Sequence, residues 1–317
     1  MGPLRSVIHV RTAMLALCAA CVAAPPRQPE VRGLPADDLG APLSAVWVGH
    51  ATVLLRMGHG VLLTDPNLSD QIAVVPRVTH ASLRPWELPP IDAVVLSHPH
   101  LDHFDAPTLR RLGPRPAIFF PVGLEEYADE ILQTDKHSVA RWHSVERAGM
   151  KITAVPARHQ GGRYGLDFLW NHAFGGWVVE GGGRTIYFAG DTGYDPKLFK
   201  EIGERFPHID LAFIPIAPAR SGPPNPDDKW GHVGPELALD IFADVKAAYF
   251  VPIHFEAFFS SSEKFGEPRR RLMAEVERRG LQSRVLAWRT GQRLVWTAQG
   301  PRLRGPAAPP GMPIVAR

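Results

Sequence analysis

Ser97-His98-Pro99-His100-Leu101-Asp102-His103 follows directly on the apolar run Asp92-Ala93-Val94-Val95-Leu96. Three imidazoles and a carboxylate are thereby packed together at the end of a strand. Alternate side chains of an extended chain point the same way, so His98, His100 and Asp102 face one pocket, and His103 reaches it from the start of a following helix. Donors of these types at this spacing, behind a buried strand, read as a metal site with room for two ions.

Later strand ends add donors of the same kind. His159 follows Ile152-Thr153-Ala154-Val155-Pro156, Asp191 follows Thr185-Ile186-Tyr187-Phe188-Ala189-Gly190, and His254 follows Ala248-Tyr249-Phe250-Val251-Pro252-Ile253. Each is a short β-rich run ending in one ligand-type residue. A lone histidine at a strand end is ordinarily a hydrogen-bonded core or rim residue. Coming after the first cluster, the three together read as the remaining ligands of a shared site.

The order HxHxDH, then His, then Asp in a Gly190-Asp191-Thr192-Gly193 turn, then His, resembles that of the metallo-β-lactamase-fold hydrolases. Within them it is most similar to the N-acylphosphatidylethanolamine-hydrolysing phospholipase D group and its bacterial relatives. Trp47-Val48-Gly49-His50-Ala51-Thr52, Leu63-Thr64-Asp65-Pro66, Glu87-Leu88-Pro89-Pro90-Ile91-Asp92 and Asp210-Leu211-Ala212-Phe213-Ile214-Pro215-Ile216 carry the same likeness, which spans about residues 42 to 298. It implies an α/β fold, an αββα sandwich of two mixed sheets flanked by helices. It also implies one metal held by His98, His100 and His159, a second held by Asp102, His103 and His254, and Asp191 bridging them. Nitrogen and oxygen donors suit two Zn²⁺ per chain, and Mn²⁺ or Fe also matches this softness. No cysteine lies near these positions, which separates the chain from lactamases with a thiolate ligand.

Two such cations lower the pKa of a water and stabilise a developing oxyanion, so hydrolysis is the expected chemistry. Asp191, Asp102 and His232 are the candidate catalytic residues: Asp191 to orient the water, Asp102 to accept a proton, and His232 to hydrogen-bond a phosphate or leaving group. A polar helix-start residue is the plainer reading of His232. Asp65 is either a turn residue before Pro66 or a partner orienting a ligand histidine. The resemblance implies phosphodiester hydrolysis of a lipid-like small molecule, with Leu101, Phe255 and Phe258 as substrate contacts beside Trp86 and Phe259. Two departures bear on that substrate: Leu101 stands where the phospholipase has a tyrosine, and Phe255-Glu256-Ala257-Phe258 replaces Trp-Gly-Thr-Phe. A lactone or carboxylic-ester hydrolase would use the same metals, and a non-catalytic metal-bound envelope scaffold is a third reading.

The 317 residues, 45% hydrophobic and 21% charged, describe an ordinary globular chain, and a net charge of +3 does not argue for a nucleic-acid partner. Strands are expected at 45–48, 53–56, 61–64, 93–96, 152–155, 177–180, 185–189, 211–216 and 248–253. Helices are expected at 107–112, 124–132, 196–205, 235–245 and 268–280. Arg269-Arg270-Arg271 and Arg278-Arg279 bracket the last, as a solvated face rather than a lipid contact. The hydrolase domain is expected over residues 42–300, after a Pro-rich tether at 25–41 and before an unstructured tail at 301–317. Residues 1–24 read as a signal peptide: Arg5 and Arg11 precede an apolar run at 12–24 that is short for a bilayer span. Both cysteines, Cys18 and Cys21, fall within it. Export to the periplasm or cell envelope is expected, with contact at a membrane surface. Lipid attachment at Cys21 and cleavage after Ala24 are the two alternatives for processing. Cell fractionation with N-terminal sequencing checks this: a processed chain outside the cytosol is the expected outcome, and an unprocessed cytosolic chain would refute export.

Overall fold

Strand alternation divides the apolar residues of this chain between two cores. The computed structural model describes residues 40–133, 135–221, 231–260 and 263–305. The expected leader, the tether up to residue 39 and the tail from residue 306 lie outside the described residues. In chain order the strands are β1 (Leu43–Gly49), β2 (Thr52–Met57), β3 (Gly60–Thr64), β4 (Gln71–Ile72), β5 (Val75–Pro76), β6 (Ala93–Val95), β7 (Ala117–Pro121), β8 (Lys136–Val139), β9 (Ser144–Arg147), β10 (Met150–Val155), β11 (Gly176–Gly181), β12 (Arg184–Phe188), β13 (Leu211–Pro215), β14 (Tyr249–Ile253), β15 (Arg293–Thr297) and β16 (Gly300–Arg304). The helices are α1 (Ala106–Arg111), α2 (Pro196–Arg205), α3 (Pro235–Asp244) and α4 (Glu267–Arg279).

One mixed sheet runs β16-β15-β1-β2-β3-β6-β7-β8 and the other β14-β13-β12-β11-β10-β9, with β4 and β5 forming a separate hairpin. In the first sheet Ala45, Trp47, Val53, Leu55, Leu62, Ala93, Val95 and Phe119 turn toward the second, meeting Ile152, Ala154, Val178 and Phe188. Their neighbours Val46, Val48, Leu54, Leu63, Val94, Ile118 and Phe120 turn the other way, onto Phe104, Leu109, Leu124 and Tyr127 around α1. That period of two, apolar on both faces, is what a sheet sandwiched between a sheet and a helical layer requires. The second sheet is covered by α2, α3 and α4 through Phe199, Ile202, Leu239, Phe242, Leu272 and Val276. The result is the αββα sandwich. The α4 arginines are engaged within it: Arg271 pairs with Glu236 and Arg279 with Asp240, both on α3. Among the described residues, no helix is long and apolar enough to cross a membrane.

Several elements differ from the sequence reading, among them the short β4–β5 hairpin and β15, which it did not anticipate. β7, a short apolar run after Pro116, and the half-exposed β8 and β9 carry no clean alternation, so their pairing comes from neighbouring strands rather than from their own pattern. Residues Leu124–Glu130 form a 3-10 helix instead of an α-helix, since the segment opens on Gly123 at φ 99° with no side chain capping it. The domain also extends past residue 300: β16 pairs antiparallel with β15, Gly300 supplies the left-handed turn at φ 99°, and Pro301 is tolerated because β16 is an edge strand. Residues 301–304 are therefore part of the sheet, not of a tail.

Trp177 ties the two sheets together below the histidine cluster. Its indole is fully buried on β11 and its Nε1 donates to the Leu96 carbonyl at the end of the first sheet, 3.0 Å away. Trp177→Phe, which removes the hydrogen bond and part of the ring, should cost roughly 1–3 kcal/mol. Trp177→Ala should cost about 3–5 kcal/mol. Denaturant midpoints measure both, and a near-neutral alanine variant would refute the pinning role.

Candidate metal centre

Loops leaving the carboxyl ends of β6, β10, β12 and β14 converge where the two sheets open. His98, His100 and His159 form one group: His98 Nε2 lies 2.9 Å from His100 Nδ1, and His159 Nε2 lies 3.3 Å from the same atom. The outward nitrogens of His98 and His159 are held. The Ser97 hydroxyl donates to Asp65 and accepts from His98 Nδ1 at 2.8 Å, while His159 Nδ1 donates to the Gly231 carbonyl at 3.0 Å.

The second group is Asp102, His103 and His254. Asp102 Oδ2 lies 3.4 Å from His103 Nε2 and 3.5 Å from His254 Nε2. Asp191 Oδ2 stands 3.2 and 3.1 Å from those two nitrogens and 3.5 Å from His232 Nδ1. His103 does not open a helix: it sits in a turn, and α1 starts later, capped by Asp105. Asp65 is fully buried and accepts from His103 Nδ1 at 2.7 Å, so the ring presents Nε2 to the centre. Of its two sequence readings, the orienting one describes its contacts.

His50 joins this group, although the sequence reading gave it no role. Its Nε2 is 3.0 Å from Asp102 Oδ2 and its ring centroid 4.1 Å from that of His254. The signal was available, since His50 also follows a strand, β1.

The donor atoms fit cations. Among the described residues, His103 Nε2, His254 Nε2 and Asp191 Oδ1 are buried with no hydrogen-bond partner, a costly state for polar atoms that metal coordination relieves. Likewise the three facing nitrogens of the first group lie within 4.8 Å of one another and outnumber the protons that could be shared among them. Burial, then His103 and His100, hold His98 well below its usual pKa, and burial holds His159 down to about 3, so this group is neutral and ready to ligate. In the second group, burial pushes Asp191 and Asp102 up, but the facing histidines, His103 foremost, outweigh it and keep both carboxylates well below their usual range. The converse holds for the histidines. Burial pushes His254 down, yet Asp191 and Asp102 raise it to about 9, and His103 is raised well above its ordinary value by Asp191, Asp102 and Asp65 against the same burial.

Arg163 fastens the first cluster from outside. Its Nη1 donates to the carbonyls of Pro99 and Phe104 at 2.7 and 2.9 Å, its Nε and Nη2 grip Glu130, and its guanidinium lies over the Phe104 ring. A cleft of about 710 Å³ runs beside the cluster, bounded by Leu68, Ile72, Arg84, Trp86, Leu101 and Arg111 among others. It meets the site through Leu101, between His100 and Asp102; none of the clustered donors lines it. Of the expected substrate contacts, Leu101 and Trp86 are in this cleft. Phe255 is not: it is 3% exposed and tilts against Trp47 at 4.6 Å, a core position. Phe258 packs edge-on to His50 at 5.1 Å and under Arg77, away from the cleft, and Phe259 donates its N–H to the Pro76 carbonyl.

Residues 61–255 match the family described as "Beta-lactamase superfamily domain". The chain belongs to this superfamily of metal-dependent hydrolases with the metallo-β-lactamase fold. It is 32% identical to the N-acyl-phosphatidylethanolamine-hydrolyzing phospholipase D 1 of Caenorhabditis elegans, over 78% of this chain and 74% of that protein. It is 33% identical to an uncharacterized Mycobacterium tuberculosis protein over 74% of this chain, spanning 64% of that relative's length. Among solved structures, the isothiocyanate hydrolase from Delia radicum gut bacteria shares the fold, with a TM-score of 0.64 at 19% identity over 80% of this chain and 99% of that one.

The split in protonation has a measurable consequence. At neutral pH a metal entering the second group must displace the proton on His254, so its affinity should rise with pH up to about 9. A metal entering the three-histidine group displaces no proton from His159, neutral above about 3. Titration calorimetry in buffers of different ionisation enthalpy should therefore show proton release on filling the second group and none on filling the first. Absence of proton uptake by the buffer on filling the second group, or equal uptake in both steps, would refute the assignment.

Proposed function

We propose that the chain is a two-zinc phosphodiesterase of phospholipase D type, acting on an N-acylphosphatidylethanolamine-like lipid. What carries this reading is the position of Asp191, whose carboxylate stands between two groups of donors in a chain one-third identical to such a phospholipase over most of its length. His98, His100 and His159 would hold one ion, Asp102, His103 and His254 the other, and Asp191 both. Bound there, two divalent cations supply Lewis acidity toward a phosphoryl oxygen and lower the pKa of an attacking water.

The protein's own groups divide the remaining work. Hydrolysis places the oxygen of water on phosphorus and breaks the P–O bond to the leaving alcohol, which takes up a proton. Asp102 is badly placed to carry that proton, because His50, His103 and His254 already surround its Oδ2. His232 is better placed: its side chain is 22% exposed, and its unpartnered Nδ1 stands beside Asp191. It would hydrogen-bond a phosphoryl oxygen or the departing alkoxide. The cleft beyond Leu101, with Trp86, Leu68 and Ile72 for apolar chain and Arg84 and Arg111 at its polar part, would receive the amphiphilic remainder of the substrate. A lipid substrate agrees with the expected export to the envelope.

Zinc-loaded protein tested on bis(p-nitrophenyl)phosphate, an N-acylphosphatidylethanolamine and a lactone decides the chemistry. Phosphodiester turnover is expected, and lactone turnover far above it would sink the proposal. Leu101→Asp and Trp86→Ala should raise KM for the lipid roughly tenfold while leaving the small phosphodiester nearly unchanged. Elemental analysis should find two metals per chain.

A further inference from the structure

We propose that Arg77 is a positioning residue that ties the loop carrying Asp102 to the loop carrying His254 and so fixes the geometry of the second metal group. The inference rests on the two-metal reading above.

Arg77 is 1% exposed and, among the described residues, hydrogen-bonds no carboxylate, an expensive way to bury a guanidinium. Its Nε and Nη2 are spent on one loop, while Nη1 has no hydrogen-bond partner among the described residues. Nε donates to the Ser69 carbonyl at 2.7 Å, and Nη2 donates to the Asn67 carbonyl at 2.7 Å and to Asn67 Oδ1 at 3.2 Å. Asn67, held in this way, turns its own amide to Asp102: Nδ2 donates to the Asp102 carbonyl at 3.0 Å.

The other side of the guanidinium faces the loop after His254. Its carbon lies 4.4 Å from the centre of the Phe258 ring. The backbones are paired at the same place, with Arg77 opposite Phe258, the Val78 and Thr79 N–H groups donating to the Ala257 carbonyl, and the Phe259 N–H donating to Pro76. Phe258 in turn meets the edge of His50, whose Nε2 contacts the Asp102 carboxylate. Asp102 is thus held at its carbonyl through Asn67 and at its carboxylate through Phe258 and His50, and both chains of contact begin at Arg77. Gly49 leaves the space for it, because a Cβ there would stand 3.3 Å from Nη1.

None of these contacts reaches His98, His100 or His159, so the role predicts a selective defect. Zinc is titrated into wild type, Arg77→Met, Arg77→Lys and Asn67→Ala in competition with a chromogenic chelator, with thermal unfolding followed in parallel and His254→Ala used to assign the second-group step. In Arg77→Met that step should weaken by about 10- to 100-fold, while the three-histidine step stays within about twofold. Arg77→Lys keeps the charge but not the fork that spans Ser69 and Asn67, and should remain weak; recovery to wild-type affinity would assign the effect to charge and overturn the positioning role. If Arg77→Met does not fold, Asn67→Ala, which removes the donor to the Asp102 carbonyl, carries the same expectation. Two steps weakened equally, or two steps unchanged, overturn the inference while leaving the two-metal reading intact. A wild-type chain that takes up a single zinc ion overturns that reading and the inference with it.

Discussion

Asp191 is 2% exposed and ionised, and the rest of the site answers that constraint. Removing a carboxylate from water costs on the order of several kcal/mol unless charge and hydrogen bonds replace the solvent. Here three imidazoles from three separate loops, His103, His232 and His254, converge on one of its oxygens while the other has no hydrogen-bond partner among the described residues. A site so assembled cannot be made locally. It needs the ends of both sheets to meet, which explains why the two sheets are pinned to each other there by Trp177 and why the core between them contains the stacked Trp47 and Trp288.

Holding loops this close strains the backbone. His50, Asp65 and His254 all have positive φ, at 56°, 31° and 61°, a region that costs a side-chain-bearing residue of order 1–3 kcal/mol. Glycine takes the positions where a side chain would collide. At Gly231, with φ 59°, a Cβ would come within 2.8 Å of the His159 Cα, and at Gly190, with φ 60°, within 2.4 Å of the Ser97 Cβ. Those approaches let the Gly231 carbonyl receive the His159 proton and let the Asp191 turn sit beside the first histidine loop. Strain tolerated at the centre is offset by the buried sheets around it.

The strand ends made most of this legible in the sequence. Hydrophobic runs that stop at His98, His159, Asp191 and His254 report both the strand and the residue it delivers, and the structure brings these residues together. What was not legible arises from contacts distant in sequence. Arg77 reaches Phe258 with no local pattern to announce it, and His50, although it follows strand β1, meets Asp102 from a loop far away in sequence. Phe255 was misread for the opposite reason: an aromatic next to a candidate ligand looks like a pocket wall, but alternation after β14 turns it inward against Trp47. The 3-10 segment at 124–130 failed on capping, and β16 on the ordinary expectation that proline ends a sheet.

The histidine loop separates chemistry from selectivity. Along 98–103 the side chains of His98, His100, Asp102 and His103 join the clustered donors, and Leu101, in the turn between them, lines the cleft. Arg163 holds this ribbon by the carbonyls of Pro99 and Phe104, so its fixation does not depend on what side chain stands at 101. A change at that position can therefore reshape the space offered to substrate without moving a donor atom. Leucine there makes the wall beside the candidate metals apolar, on the same cleft as the exposed Trp86.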